Sequence, residues 1–598
     1  MGGESRQHSV KSMAQQACLV FLNERTLWRA VWLALRGHRV CCIPVPTTFA
    51  ATAGFLSRMV VWLGKYLPIF EVLNFDLRLE RYKELRVPRH HDDPYRLAEP
   101  WLDRYIGHDY LDLSLHDDAM PVRHAASILF YRYLDAIWFT RWFSMHYDSR
   151  EAVFVGLDPV VSGAYREIYG TDPSLPSVAP VVPGRFVNVL IHVAALALML
   201  VQALRSVRIA PPACRDVFLG SDYSGNPRDA SVWREVAAEG HDVMVVFRTR
   251  QQRRARANQI SGFPCTVPGE GAWSIVRAWA EWREAWGRTQ RIWLVVRDLI
   301  PALVLQTCLL PLRRLKIRQM LTRYRFRHFW VRDDYGAEHI LRSQELRRVE
   351  GKTIGVSHGL PVSCNLVGIW RYIDCDTYMV QGLGILRHYS DRWAPWMKVV
   401  ASGSLGLTRE FEARLSAPRP HDIIFQVKPQ EGSEPLLHIL DALATAFTDR
   451  RIILQVKRFF RDSFLVEQFG QIAKRHANVV ATDESIYELF LRARYLITDP
   501  STIAVEAIQF GLYAFVMDCD GRRSLYFRDF PEFCENSPDE LAHRIRGIED
   551  GSYRYRFADY DGLINRQGHF FNQFRAELGL PPIVSQPSQT ASMQLCAE

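Results

Sequence analysis

The sequence predicts an α/β protein built on parallel, doubly wound sheets. Three observations carry that expectation. Short β-branched and apolar runs alternate with segments of helical period through the last third of the chain, and the same alternation occurs in the middle third. One strand, residues 495–498, also stops at Thr498-Asp499-Pro500 and restarts at once as a helix. Strands separated by helices pair in parallel, because each crossover helix covers a face of the sheet. At 598 residues, with 48% hydrophobic and 23% charged side chains, the chain is globular and too long for one core. Roughly two to four domains are expected.

From the N-terminus, residues 18–22 read as a strand, 27–35 as a helix stopped by Gly37, and 39–43 as a second strand, which together make one β-α-β unit. Segment 99–147 is rich in aromatics and histidine at helical spacing, a pattern that suits a core. Residues 187–204 are nearly all apolar, with Asn188, His192 and Gln202 as exceptions, and residues 292–312 are similar but carry Arg297, Asp298 and Pro301. A membrane-spanning helix needs about 20 apolar residues. Three fates are therefore open for these segments: a span, a buried helix, or a helix lying on a bilayer. The formal net charge is +9, and it is concentrated in runs at 248–256 and 313–327, each dense enough to form a surface. An apolar helix followed directly by the second run suits docking on an anionic leaflet.

The middle third reads as strand 216–219, a polar loop at 220–226, helix 229–239 and strand 242–247. Strand 328–332 then ends in Asp333-Asp334, and helix 336–346 leads to strand 352–356, which ends in Ser357-His358-Gly359. Strands 376–380 and 398–401 follow, and residues 405–419 form a linker. Beyond it come strands 422–427, 451–456, 478–481, 495–498 and 513–517, interleaved with helices 435–447, 464–476, 485–493 and 502–510, the last stopped by Gly511. The expected units are an N-terminal α/β and helical region (1–210), a Rossmann-like domain (211–405), a second Rossmann-like domain (420–578) and a disordered tail rich in Ser, Gln and Pro (579–598).

The turn after residue 498 carries the most chemistry. Ser501 and Thr502 stand in the first turn of a helix, where backbone N–H groups are unpaired and the dipole is positive, and Glu506 follows about one turn later. That arrangement can hold a diphosphate, with a ribose diol within reach of the carboxylate. It can equally be an ordinary N-cap. Its place at the carboxyl end of a parallel strand, where α/β sheets bind ligands, favours the first use.

The 11 cysteines are scattered, without CxxC pairs or zinc-like spacing, and suit reduced thiols in a cytoplasmic protein. No aromatic pattern of the kind that stacks bases accompanies the basic runs, and no helix-turn-helix or zinc module is evident, so nucleic acid is not an expected partner.

Four motifs occur in a characteristic order: Gly355-Val356-Ser357-His358-Gly359-Leu360-Pro361, Asp376-Thr377-Tyr378-Met379-Val380-Gln381-Gly382, Val399-Val400-Ala401-Ser402-Gly403-Ser404, and Leu496 through Ala507. In this the chain resembles the GT-B superfamily branch that contains bacterial capsule and lipopolysaccharide glycosyltransferases and the CDP-glycerol glycerophosphotransferases. The resemblance covers about residues 215–578. It implies two Rossmann-like doubly wound sheets facing a cleft, with the N-terminal α/β region as an addition, and an activated sugar held by the C-terminal sheet. It further implies inverting, metal-independent transfer with no cofactor, to a glycan or lipid-linked acceptor. The place implied is peripheral, at an anionic membrane surface on the inner face of the cytoplasmic membrane.

By that resemblance Ser501 and Thr502 hold the phosphates and Glu506 the ribose, with Asp499 a further donor-binding residue of the same turn, while Asp333, Asp334 and His358, at strand ends of the facing sheet, are the candidate bases. The pleat directs only one of Asp333 and Asp334 into the cleft. One departure stands out. Many relatives carry Lys-Pro-His-Pro after the strand at 451–456, whereas this chain has Lys457-Arg458-Phe459-Phe460. Lys457 and Arg458 can still neutralise a phosphate, but the imidazole is missing. Three readings remain: a glycosyltransferase, a polyol-phosphate transferase using a CDP-alditol, and a non-catalytic nucleotide- or lipid-binding scaffold.

Overall fold

The computed structural model describes residues 17–22, 26–36, 38–44, 70–72, 116–131, 134–148, 152–157, 159–178, 184–209, 212–260, 262–332, 336–357, 359, 370–388, 390–415, 419–427, 434–457, 464–517, 527 and 530–582. Asp333, Asp334, His358 and Arg458 lie outside these residues, as does the tail from 583 onward.

Three parallel sheets organise the chain. The first comprises β1 (Ala17–Leu22), β2 (Arg39–Pro44), β3 (Phe70–Val72), β4 (Ala152–Val155) and β5 (Ser177–Val178), in the order β3-β2-β1-β4-β5. The second has β6 (Arg215–Asp222), β7 (Val243–Val246), β8 (Cys265–Thr266), β9 (Tyr324–Val331), β10 (Lys352–Val356), β11 (Thr377–Val380) and β12 (Lys398–Ala401), in the order β12-β11-β10-β9-β6-β7-β8. The third has β13 (Ile423–Val427), β14 (Ile452–Val456), β15 (Val479–Thr482), β16 (Tyr495–Thr498) and β17 (Tyr513–Val516), in the order β15-β14-β13-β16-β17. The chain reverses direction of growth between β1 and β4, between β6 and β9, and between β13 and β16. Such switch points leave a crevice at the carboxyl strand ends.

The α/β class and its doubly wound parallel sheets are thus as expected. The N-terminal region extends the expectation, since the single β-α-β unit is the centre of a five-stranded sheet. Its outer strands β3 and β5 have only three and two residues, too few to give a periodic signal. The inner strands β13 and β16 are buried along their whole length, as continuous apolar runs covered on both faces should be.

The helices that shape the crevice and the outer surface are α1 (Gly184–Ser206), α2 (Pro227–Ala238), α3 (Ile275–Val296), α4 (Pro301–Cys308), α5 (Leu310–Leu321), α6 (Glu338–Arg347), α7 (Thr502–Gln509) and α8 (Phe570–Leu578). The apolar stretch 292–312 is not one helix. It is the end of α3, all of α4 and the start of α5, with Pro301 and Pro311 each in the first turn of the helix it opens. Most of α4 is buried, so this part of the segment presents no free apolar face.

The basic run that comes after it also departs from expectation. Arg314 and Arg318 of α5 turn inward. Arg314 donates to Asp118 at 2.9 Å and to Glu345 at 2.5 Å, and Arg318 donates to Glu345 at 2.6 Å and Glu281 at 2.9 Å. Arg288 adds bonds to Asp118 at 2.7 Å and Glu284 at 3.0 Å. Three guanidinium groups and four carboxylates thereby tie α3, α5, α6 and the turn at His116–Asp118 into one block. Only Arg323, Arg325 and Arg327, alternating with buried Tyr324 and Phe326 along β9, remain as surface charge in the latter half of the run. The run at 248–256 does form a surface, since helix Arg250–Arg256 has no buried residue.

The block predicts an acid response. Burial pushes the Glu284 carboxyl up, but the hydrogen bonds and charges of Arg318 and Arg288 outweigh it and leave the group at about 2. A carboxyl depressed in the folded state stabilises the fold above its unfolded pKa of about 4.3, and that contribution fades as pH falls toward 2. Stability followed by circular dichroism should therefore drop between about pH 4.5 and 2, and Glu284→Gln should flatten the drop. An equally steep profile in the variant would exclude Glu284 as a source.

Candidate functional site

The site is assembled where the second and third sheets meet, around the N-terminal half of α7. β16 ends at Thr498 beside the switch point, so Asp499 and Ser501 fall at the crevice. Ser501 is the N-cap of α7, with extended backbone (φ −155°, ψ 146°), and its Oγ accepts from Ile503 N at 3.4 Å. From the end of β14, which lies beyond β13 in the sheet, Lys457 Nζ donates to the same Oγ at 2.8 Å. A hydroxyl, a cation and the free end of a helix thus converge at one point.

Behind them the polar groups are buried and bonded. Thr498 Oγ1 donates to Asp499 Oδ1 at 3.3 Å and Gln426 Oε1 at 3.4 Å, and Gln426 Nε2 donates to Gln455 Oε1 at 2.7 Å. Asp499 is buried, which makes it a support for the turn. Thr502 faces the second sheet at Gly359, the residue after the His358 position. A Cβ on Gly359 would approach Thr502 Oγ1 to 2.8 Å, so the absence of a side chain there lets the two loops close together.

Glu506 is 2% exposed, and the structure gives it partners from both sheets. Its Oε1 accepts from Arg228 Nη1 at 3.3 Å and Gln381 Nε2 at 3.1 Å, and its Oε2 accepts from the Tyr487 hydroxyl. The Arg228 guanidinium also lies 4.8 Å from the centre of the Tyr487 ring. Burial, reinforced by the Glu506 charge, pushes the Tyr487 hydroxyl well above its usual range, so it remains a donor. Gln509, one turn further on, receives Ser404 N at 2.7 Å and donates to Gly568 O at 2.7 Å. Every one of these partners of the second sheet follows a strand end, which places its crevice against that of the third sheet.

The second sheet has a polar cluster of its own at the β6/β9 switch. Arg332 Nε pairs with Asp229 Oδ1 at 2.9 Å, Arg332 N donates to Asp222 Oδ2 at 3.2 Å, and Arg342 of α6 bonds Asp222. Ser224, exposed at the mouth, bonds the buried Asp229. Burial pushes the Asp229 carboxyl up, against the pull of Arg332 and the bonds from Ser224 and Trp330.

Of the expected site residues, the structure brings Lys457, Asp499, Ser501, Thr502 and Glu506 into one crevice. Asp333, Asp334, His358 and Arg458 fall outside the described residues, although their neighbours Arg332, Gly359 and Lys457 all lie at it. Arg228, Gln381 and Tyr487 were not singled out by the sequence. A signal existed for Arg228: Asn226-Pro227-Arg228 opens a capped helix just after β6, as Ser501 does after β16, and Asn226 Oδ1 accepts from Arg228 N. No group of acidic, His or Cys side chains suited to a metal occurs among the described residues.

No protein-family model matches the chain, and no curated protein matches it. Among solved structures the chain is similar to the wall teichoic acid polymerase TagF, at 14% identity over 66% of this chain and 98% of that one, with a TM-score of 0.35. It is also similar to Staphylococcus aureus MnaA solved with UDP, at 11% identity over 62% and 99%, TM-score 0.34. A third is MurG of Acinetobacter baumannii, at 10% identity over 60% and 95%, TM-score 0.33. All three scores lie below 0.5, so the chemistry of the crevice rests on its own geometry: a capped helix end with a lysine beside it, closed over by a facing sheet.

Proposed function

We propose that this crevice transfers a sugar from a nucleotide-activated donor to a growing surface polysaccharide or lipid-linked glycan. The observation that carries the reading is the 2.8 Å contact of Lys457 with the Ser501 cap, at the switch point of a parallel sheet. When the bond from the sugar's anomeric carbon to phosphate breaks, the departing diphosphate gains charge. The fixed N–H groups and dipole of α7, with Lys457 beside them, stabilise that charge more in the transition state than before it. The acceptor oxygen forms the new bond at the anomeric carbon and gives its proton to a base, for which Asp333, Asp334 and His358 are the candidates. Glu506 would take a ribose hydroxyl once Arg228 yields one of its oxygens.

Lys457 serves a second reading equally well: transfer of a polyol phosphate from a CDP-alditol, where the attacked atom is phosphorus. A panel of nucleotide sugars and CDP-alditols, read by nucleotide release, tests both. Release from one nucleotide sugar is the expected result, a phosphodiester product would move the assignment to the second reading, and no release from any donor would remove both. In the Ser501→Ala, Thr502→Ala double variant, loss of two hydroxyl contacts to a charged phosphate should weaken donor binding about 10- to 100-fold. Unchanged affinity would remove the phosphate site from these residues.

A further inference from the structure

The helices α1 and α3 lie side by side, and their shared outer face is apolar. On α1 the outward positions are Phe186, Leu190, Val193, Val201 and Leu204, exposed by 62%, 54%, 57%, 40% and 63%. Their spacing is that of a single helical stripe. On α3 the same side carries Trp279, Trp286 and Leu294, exposed by 58%, 39% and 61%. Trp282 links the two tryptophans, with ring centres 4.6 Å from Trp279 and 5.3 Å from Trp286. The helices are fixed to each other by the His192 ring stacked on Trp293 at 4.6 Å.

By length and composition, residues Arg185–Ser206 suffice to cross a bilayer. The structure uses them differently. Ile191, Ala195 and Met199, on the inner side of α1, are built into one core with residues of α3, α4 and α5. A helix with one side in a protein core and the other bare can lie along an apolar surface without leaving its fold.

Charge decides what that surface is. Arg205, Arg208, Arg277, Arg283, Arg291 and Arg297 are exposed on these helices and at their ends, and of these Arg277 and Arg297 have a carboxylate close by, Glu281 at 3.7 Å and Asp298 at 3.6 Å. The exposed acids there are already paired: Glu284 with Arg288 at 3.0 Å, and Asp298 with Arg185 at 2.9 Å. A second copy docking through the same face about a two-fold axis would set this group of arginines against the same group of the other copy. An anionic headgroup layer instead neutralises them, while tryptophan is the side chain best suited to the boundary between headgroups and acyl chains. We propose that the α1–α3 face seats the protein on an anionic bilayer, with both helices parallel to the membrane plane. This does not depend on what the crevice transfers, and it moves the membrane contact from the segment 292–327 to α1 and α3.

The test uses the full chain and flotation with two kinds of vesicle: phosphatidylcholine alone, and phosphatidylcholine mixed equally with phosphatidylglycerol. Binding to the anionic vesicles, weakened by salt and absent from the neutral ones, is expected. Leu190→Glu, Val193→Glu and Trp279→Glu together should lower the partition coefficient at least about 10-fold, since each removes buried apolar area at the membrane. All three positions are exposed, and the variant's circular dichroism and elution volume should match the parent's. Failure of the parent to bind anionic vesicles overturns the proposal, as does undiminished binding by a folded variant. A parent dimer that the variant converts to monomer would assign the face to a second copy. Binding that high salt leaves fully intact and only detergent reverses would assign α1 to a span.

Discussion

Replacing Arg314 with leucine is expected to cost the fold about 3–5 kcal/mol, the usual effect of removing one partner from a buried charge cluster. Arg314 is 2% exposed, and its side chain holds Asp118 at 2.9 Å and Glu345 at 2.5 Å. Both carboxylates are about as buried as the arginine, so leucine would remove the cation they share and leave Asp118 with Arg288 and Glu345 with Arg318. The loss should appear as a lower urea midpoint. Arg325→Leu is the matched control from the same basic run: its side chain is 66% exposed and 3.9 Å from Asp216. Exposed pairs contribute about 0–1 kcal/mol, so that variant should unfold almost as the parent does. Equal effects from the two would show that the inward turn of α5 is wrong.

The second large effect is expected at Glu506. Glu506→Gln preserves shape but removes the charge that Arg228, Gln381 and Tyr487 surround. If the carboxylate also receives the donor's ribose, the variant should bind the productive nucleotide about 10- to 100-fold more weakly, in line with about 1.5–3 kcal/mol for a hydrogen bond to a charged group. Calorimetric titration of the nucleotide released in the donor screen gives the answer. Arg228→Met separates the two uses of Glu506. It breaks the link between sheets and frees Oε1, so a nucleotide that competes with Arg228 should bind more tightly to this variant. Unchanged affinity in both variants would leave Glu506 with a purely structural task.

What the sequence made legible was local. The run from Tyr495 to Gln509 could be read as strand, turn and capped helix because each signal, from buried apolar residues to Ser501, lies within a few positions of the next. The burial of Arg314 could not be read that way. On one helix, a string of arginines looks the same whether it faces water or carboxylates, and here one carboxylate stands 196 residues away, at Asp118. Arg228 and Glu506 are separated by 278 residues, so the contact across the crevice had no local trace either. Residues 292–312 misled for another reason. Their hydropathy is that of a single apolar helix, but Pro301 and Pro311 cut it into pieces that pack in different directions. Burial on both sides of α4 accounts for the apolar composition that a membrane would also require.

The last helix among the described residues, α8, carries a consequence for how the molecule is made. Phe570, Phe571, Phe574 and Leu578 of α8 complete the apolar wall formed by Leu219 and Trp330 of the second sheet and Val236 of α2. Arg575 closes the same junction with bonds to Glu235 at 2.7 Å and Glu239 at 2.8 Å, across a separation of 340 residues in the case of Glu235. A chain still being synthesised can form the strands of that sheet, but their wall stays open to solvent until Phe570–Leu578 has been translated. The order in which the ribosome releases the domains is therefore not the order in which they are finished. The middle domain emerges before the one that follows it, and it is completed only by α8, a helix beyond that second domain's last strand.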